Sequence, residues 1–128
     1  MRRRHNSASP YEERYAFSRS IRDGSRILVA GTAPLGPDGA TVQGGAYEQA
    51  RRCFEIAREA IEALGGRAAD VVRTRMYLCD AKDSDAVGRA HAEAFREAKP
   101  AATMVVVVGL LDPAWRVEIE VEAIHAES

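Results

Sequence analysis

Cysteine and aromatic residues are scarce in this chain: two cysteines, Cys53 and Cys79, and 6% Phe, Trp and Tyr in 128 residues. Two thiols cannot form a disulfide framework, which fits a reduced compartment and gives a cytoplasmic expectation. No apolar run approaches the roughly 18 residues that a membrane span needs. The longest candidate, Met104–Val108, has the length of a strand. Met1-Arg2-Arg3-Arg4-His5-Asn6 is followed by no apolar stretch, so it does not read as a secretory signal. Neither charge dominates, since 18 basic residues face 19 acidic ones for a net charge of −1. That balance gives no general attraction for nucleic acid, and no basic stripe interleaved with stacking aromatics occurs. His5, His91 and His125 form no pair at metal-ligand spacing, so no metal site is expected. The glycine-rich loop at 36–45 lacks the Lys-Ser/Thr of a phosphate loop.

What is present has the composition of one globular domain, 46% hydrophobic and 29% charged. Residues 1–14 are polar, and too little apolar surface offsets the entropy of ordering them. They read as a flexible N-terminal arm, with residues 15–128 as a single domain. Tyr15–Ile21 alternates like a strand, Asp23-Gly24 suits a two-residue hairpin, and Arg26–Thr32 follows as a buried strand. A short strand is expected at Ala40–Val42 inside a loop rich in Gly and Pro. Tyr47, Ala50, Phe54, Ala57, Ile61 and Leu64 recur at three- and four-residue steps and predict a helix from Ala46 that Gly65-Gly66 stops. Val71–Leu78 predicts a strand. Asp83 or Ser84 caps a second helix to about Ala98, ended by Pro100. Thr103–Val108 and Trp115–His125 complete a β-β-(β)-α-β-α-β-β order: an α+β mixed sheet with both helices on one face.

The uncovered face of that sheet is where function is expected. Alternation puts Arg73, Arg75 and Tyr77 together on one strand, and Arg116, Glu118, Glu120 and Glu122 together on another. Neighbouring strands would let these sets form cross-strand ion pairs. Thr103–Val108 is apolar on both faces, so a second subunit could cover it. Cys53 reads as a packed small residue, and Cys79 has no nearby histidine to make it a nucleophile. His91 suits a core-edge position as well as a pocket one.

In order along the chain stand Val29-Ala30-Gly31-Thr32-Ala33-Pro34, Gln49-Ala50-Arg51, Leu64-Gly65-Gly66, Asp70-Val71-Val72-Arg73-Thr74, Tyr77-Leu78-Cys79-Asp80, Lys99-Pro100-Ala101-Ala102-Thr103 and Val117-Glu118-Ile119-Glu120. Together, over about residues 15–125, they resemble the Rid family of reactive-imine deaminases, also called the YjgF/UK114 family. The resemblance implies a chorismate-mutase-like (RidA/YjgF) fold and a homotrimer with its sheets inward and pockets between subunits. It also implies hydrolysis of enamines and imines such as 2-aminoacrylate without a metal or organic cofactor. An arginine there grips the substrate carboxylate, and a glutamate, here Glu120, places the attacking water. The implied small-molecule pocket takes in Phe17, Ala30, Gly31, Thr32, Gly88, Ala102, Thr103 and Met104. This chain departs from the family at four of these positions: Ala102 stands for the arginine, Phe17 for a tyrosine, Ala30 for a serine and Gly88 for an asparagine. A methyl group cannot make a bidentate contact with a carboxylate. Arg75 and His91 are the residues that could supply the missing charge. Two functions stay open, a Rid-like hydrolase acting on an unlike substrate and a non-catalytic trimer that binds a small metabolite.

Overall fold

The fold is given by a computed structural model that describes residues 2–126. Met1 and residues 127–128, at the outer ends of the two expected segments, lie outside the described residues. In chain order the elements are β1 (Arg2–His5), α1 (Pro10–Tyr15), β2 (Ser20–Asp23), β3 (Arg26–Thr32), α2 (Ala46–Glu62), β4 (Val71–Leu78), α3 (Ser84–Phe95), β5 (Ala101–Val106) and β6 (Val117–Ile124). They make one six-stranded sheet in the order β1-β2-β3-β6-β4-β5. β4 and β5 are parallel, as a crossover through α3 requires, and the other pairs are antiparallel. The fold is α+β, with α2 and α3 on one face.

The apolar half of each alternating strand meets the helices. Val117, Ile119, Val121 and Ala123 of β6, and Thr74, Met76 and Leu78 of β4, are buried there. Ala50, Cys53, Phe54, Ala57 and Ile61 of α2 close over them, and Val87, Ala90 and Phe95 of α3 extend the cluster. Phe54 and Phe95 meet edge to face at 5.3 Å between ring centres.

The arm expected at residues 1–14 is corrected. Arg2–His5 pairs antiparallel with Ser20–Asp23 as an edge strand. Its side chains are largely exposed and none is apolar, so the sequence carries no apolar signal. Backbone pairing holds it, aided by Arg2 Nε donating to Asp23 and Arg3 Nη2 to the Leu64 carbonyl. Pro10–Tyr15 is helical: the Ser9 side chain accepts from the Tyr11 N–H, Pro10 opens the first turn, and Ala16 closes it at φ 60°. These caps override the weak alternation after Tyr15, so the next strand starts at Ser20 and Phe17 lies outside it. The short strand at 40–42 is reduced to one bridge, Leu35 to Thr41. β5 begins two residues earlier than expected and leaves Val105 and Val106 41% and 55% exposed at the sheet edge.

Candidate functional site

On the sheet face away from the helices, β4 and β6 bring their charged residues into register, with Arg75 opposite Glu120, Arg73 opposite Glu122 and Tyr77 opposite Glu118. Arg75 Nη1 donates to Glu122 Oε2 at 3.0 Å and stands 3.7 Å from Glu120 Oε1. The Tyr77 hydroxyl donates to the same Glu120 oxygen. That bond pushes the Tyr77 phenol above its ordinary range, and the Glu122 hydrogen bond holds the Arg75 guanidinium still more firmly charged. Glu120 Oε2 accepts no hydrogen bond from a described residue. Glu120 lines a hollow of about 350 Å³ together with Ser18, Ala30, Arg75 and Glu122. Ala30, Arg75 and Glu120 are thus brought together, and Thr103 lies beside Arg75 in the β5 register.

The other expected pocket residues do not join them within one chain. Alternation turns Ala102 and Met104 toward the helix side, paired with Thr74 and Met76. Gly88 lies near them, since a Cβ on it would stand 3.9 Å from Met104 Cε. His91 belongs to the same helix-side group: its Nε2 meets Thr74 Oγ1 at 2.8 Å, and its ring lies 5.6 Å from Phe54 and 5.1 Å from Phe95. Burial pushes its imidazole below the usual value. His91, expected as one source of the missing charge, thus stands in the same helix-side group as Ala102, with the sheet between it and Glu120. Arg75 does reach Glu120, but its charge is already engaged by two carboxylates of its own chain.

Phe17, Gly31 and Thr32 lie in a third place, the wall of a cavity of about 600 Å³ beneath the N-terminal segment. Sequence reasoning missed this cavity by treating residues 1–14 as an arm, although Ser9-Pro10 is a helix-start signal. Its architecture rests on Glu12, which is 2% exposed. Glu12 Oε1 accepts from Asn6 Nδ2 at 3.1 Å and from the Ser7 backbone N–H at 2.8 Å. Its Oε2 accepts from the Ser7 hydroxyl and from Arg19 Nε, the latter at 3.0 Å. Arg19 in turn donates through Nη1 to the Gly31 carbonyl at 2.5 Å and to Thr32 Oγ1 at 2.9 Å. One buried ion pair thereby ties the N-terminal segment to the end of β3. Glu118 reaches the same cavity half-buried, and burial pushes its carboxyl above the ordinary range. Gly31 makes room for it, since a Cβ there would stand 2.6 Å from Glu118 Oε2. Among the described residues no cluster of three or more His, Cys, Asp and Glu could hold a metal ion.

Comparison with known proteins places this geometry. The profile of the family described as Endoribonuclease L-PSP matches residues 7–125. An uncharacterized protein of Streptomyces coelicolor is 43% identical over 121 residues, covering 94% of this chain and 90% of that one. The 2-iminobutanoate/2-iminopropanoate deaminase of Salmonella typhimurium is 31% identical over 104 residues, covering 79% of each chain. The crystal structure of a Mycobacterium tuberculosis member of the YjgF/YER057c/UK114 family superposes with a TM-score of 0.88 at 35% identity, covering 97% of this chain and 99% of that one. A six-stranded sheet backed by two helices, and a matching profile over nearly the whole length, make this chain a member of the YjgF/YER057c/UK114 (Rid) family.

Proposed function

We propose that the chain forms a homotrimer, sheets inward, and binds a small metabolite in a cleft between subunits. There Glu120 positions water for hydrolysis of an imine, an enamine or a related C–N bond. The observation that carries the catalytic reading is the Glu120 carboxylate, clamped at Oε1 by Tyr77 and Arg75 with Oε2 left to take a hydrogen bond from water. Water adds across C=N, its oxygen to carbon and a proton to nitrogen, and the carbinolamine collapses to a carbonyl and ammonia. The chain itself motivates the trimer. The implied pocket residues fall into three separated groups, which a neighbouring copy could complete, and Val105, Val106 and Leu111 are exposed beside them. A relative sharing 31% identity is a 2-iminobutanoate/2-iminopropanoate deaminase.

Ala102 sets the substrate apart from 2-aminoacrylate. Losing a hydrogen bond to a charged group costs about 1.5–3 kcal/mol, or roughly ten- to a hundredfold. Arg75 offers no replacement, because Glu120 and Glu122 already engage it. That same observation favours a second reading, a trimer that binds a metabolite without turning it over.

The test generates 2-iminobutyrate in situ and follows its decay with wild type, Ala102→Arg and Glu120→Gln. The catalytic reading expects slow decay with wild type, faster decay with Ala102→Arg, and none above background with Glu120→Gln. Background decay in all three removes the catalytic reading in favour of the second. A monomer in sedimentation overturns both.

A further inference from the structure

The cavity under the N-terminal segment holds a carboxylate, Glu118, on which the Arg19 charge acts but to which no described residue donates a hydrogen bond. Its walls hold the rings of Tyr11, Phe17 and Trp115, with Leu35, Ile56 and Leu111 as further apolar surface. Tyr11 and Trp115 meet edge to face at 6.3 Å. Two guanidiniums line it, and both are engaged. Arg19 is paired with Glu12 and bonded to Gly31 and Thr32. Arg52 donates to the Leu35 carbonyl at 2.7 Å and to Glu55 at 3.4 Å. Glu118 differs: it accepts no hydrogen bond and makes no ion pair with any described residue. The carboxylates of Glu59 and Asp38 also line the cavity, so the charge left over is negative.

We propose that this cavity binds a compact organic cation, an ammonium or amidinium on a flat apolar body, with Glu118 as its counter-charge. A volume of about 600 Å³ lies within the range of small-molecule sites. Arg19 already lies over the Phe17 ring at 5.4 Å and Arg14 over the Tyr11 ring at 5.8 Å, which leaves Trp115 as the wall ring with no cation of the chain over it among the described residues. Charge-assisted N–H donation to Glu118 supplies the orientation. The cavity shares Phe17, Gly31 and Thr32 with the pocket proposed above, but its counter-charge is Glu118 and not Glu120, so a binding test on Glu118 is read separately from turnover.

Trp115 is the chain's one tryptophan and stands in the cavity wall, so its fluorescence reports occupancy. The full-length protein is titrated with phenethylamine, and separately with the neutral phenethyl alcohol and the anionic 3-phenylpropionate. The proposal expects a saturable change with phenethylamine and at least tenfold weaker binding of the other two. Glu118→Gln should weaken phenethylamine about tenfold or more. Glu118→Asp keeps the charge but shortens its reach, and should bind between the two. Equal response to amine and alcohol, no saturable response to the amine, or unchanged affinity in Glu118→Gln overturns the proposal. Should Glu118→Gln fail to fold, wild-type affinity in Glu118→Asp overturns it instead.

Discussion

Replacing Glu12 tests whether one carboxylate holds the N-terminal segment in place. Four donors converge on it: Asn6, the Ser7 backbone, the Ser7 hydroxyl and Arg19. Glu12→Ala leaves the 5% exposed Arg19 without its counter-ion. Breaking one partner of a buried pair costs about 3–5 kcal/mol, a large part of the roughly 5–15 kcal/mol that stabilises a domain. Glu12→Gln is no rescue, because its amide would turn N–H groups toward donors at one oxygen position. It should cost at least the 1.5–3 kcal/mol or so of one charged hydrogen bond. Burial alone would raise the Glu12 carboxyl, yet the Ser7 and Arg19 hydrogen bonds and the Arg19 charge bring it below its ordinary 4.5. A carboxyl depressed in the folded state contributes stability above its ordinary value and loses it as pH falls through the folded one. The acid limb of the stability curve below about pH 4.5 should therefore be shallower in Glu12→Gln. Urea unfolding at fixed protomer concentration and several pH values measures both effects, since association would otherwise shift the midpoint. A loss below about 0.5 kcal/mol with an unchanged acid limb would refute this account, being no more than a surface substitution causes. The Arg19→Met double-mutant cycle then reads the coupling directly.

Gly66→Ala should cost about 1–3 kcal/mol in the same assay, because its Cβ would stand 2.7 Å from Ile27 Cδ1 and 2.8 Å from Ile61 Cγ2, both in the core. For His91, burial predicts an NMR titration midpoint below the ordinary 6.5. Stability it contributes is full above 6.5 and declines as pH falls toward the folded value, a decline that His91→Phe should remove.

The sequence was most legible where burial imposes a period. Val71–Leu78 and Arg26–Thr32 occupy the strands their residues predict, and the stripe from Tyr47 to Ile61 is helical with Gly65-Gly66 at its end. Hydrophobic periodicity records which face meets the core, so these elements could be read one at a time. The N-terminus was opaque for the opposite reason. Arg2–His5 joins the sheet through its backbone and buries little side chain, and α1 owes its place to caps and to Glu12. Neither kind of bond leaves a repeating pattern. A buried Glu12 paired with a buried Arg19 also inverts the usual rule that charge marks the surface.

The site divides along the same line. The meeting of Arg75 with Glu120 was readable because alternation and neighbouring strands are enough to produce it. The grouping of Phe17, Gly31, Gly88, His91, Ala102 and Thr103 was not, because it depends on distances between faces. Ala102 and Thr103 are adjacent in the chain, yet pleating turns them to opposite sides of β5. Glu118 shows the same limit from the other side. Its spacing from Glu120 and Glu122 assigns all three to one face, but the separate fates of the three carboxylates come from their surroundings. Tyr77 and Arg75 take up Glu120, Arg75 also takes up Glu122, and Gly31 alone leaves space for Glu118. Three like residues at one period therefore serve as a clamp partner, an ion-pair partner and an open acceptor, a difference carried by residues far away in sequence.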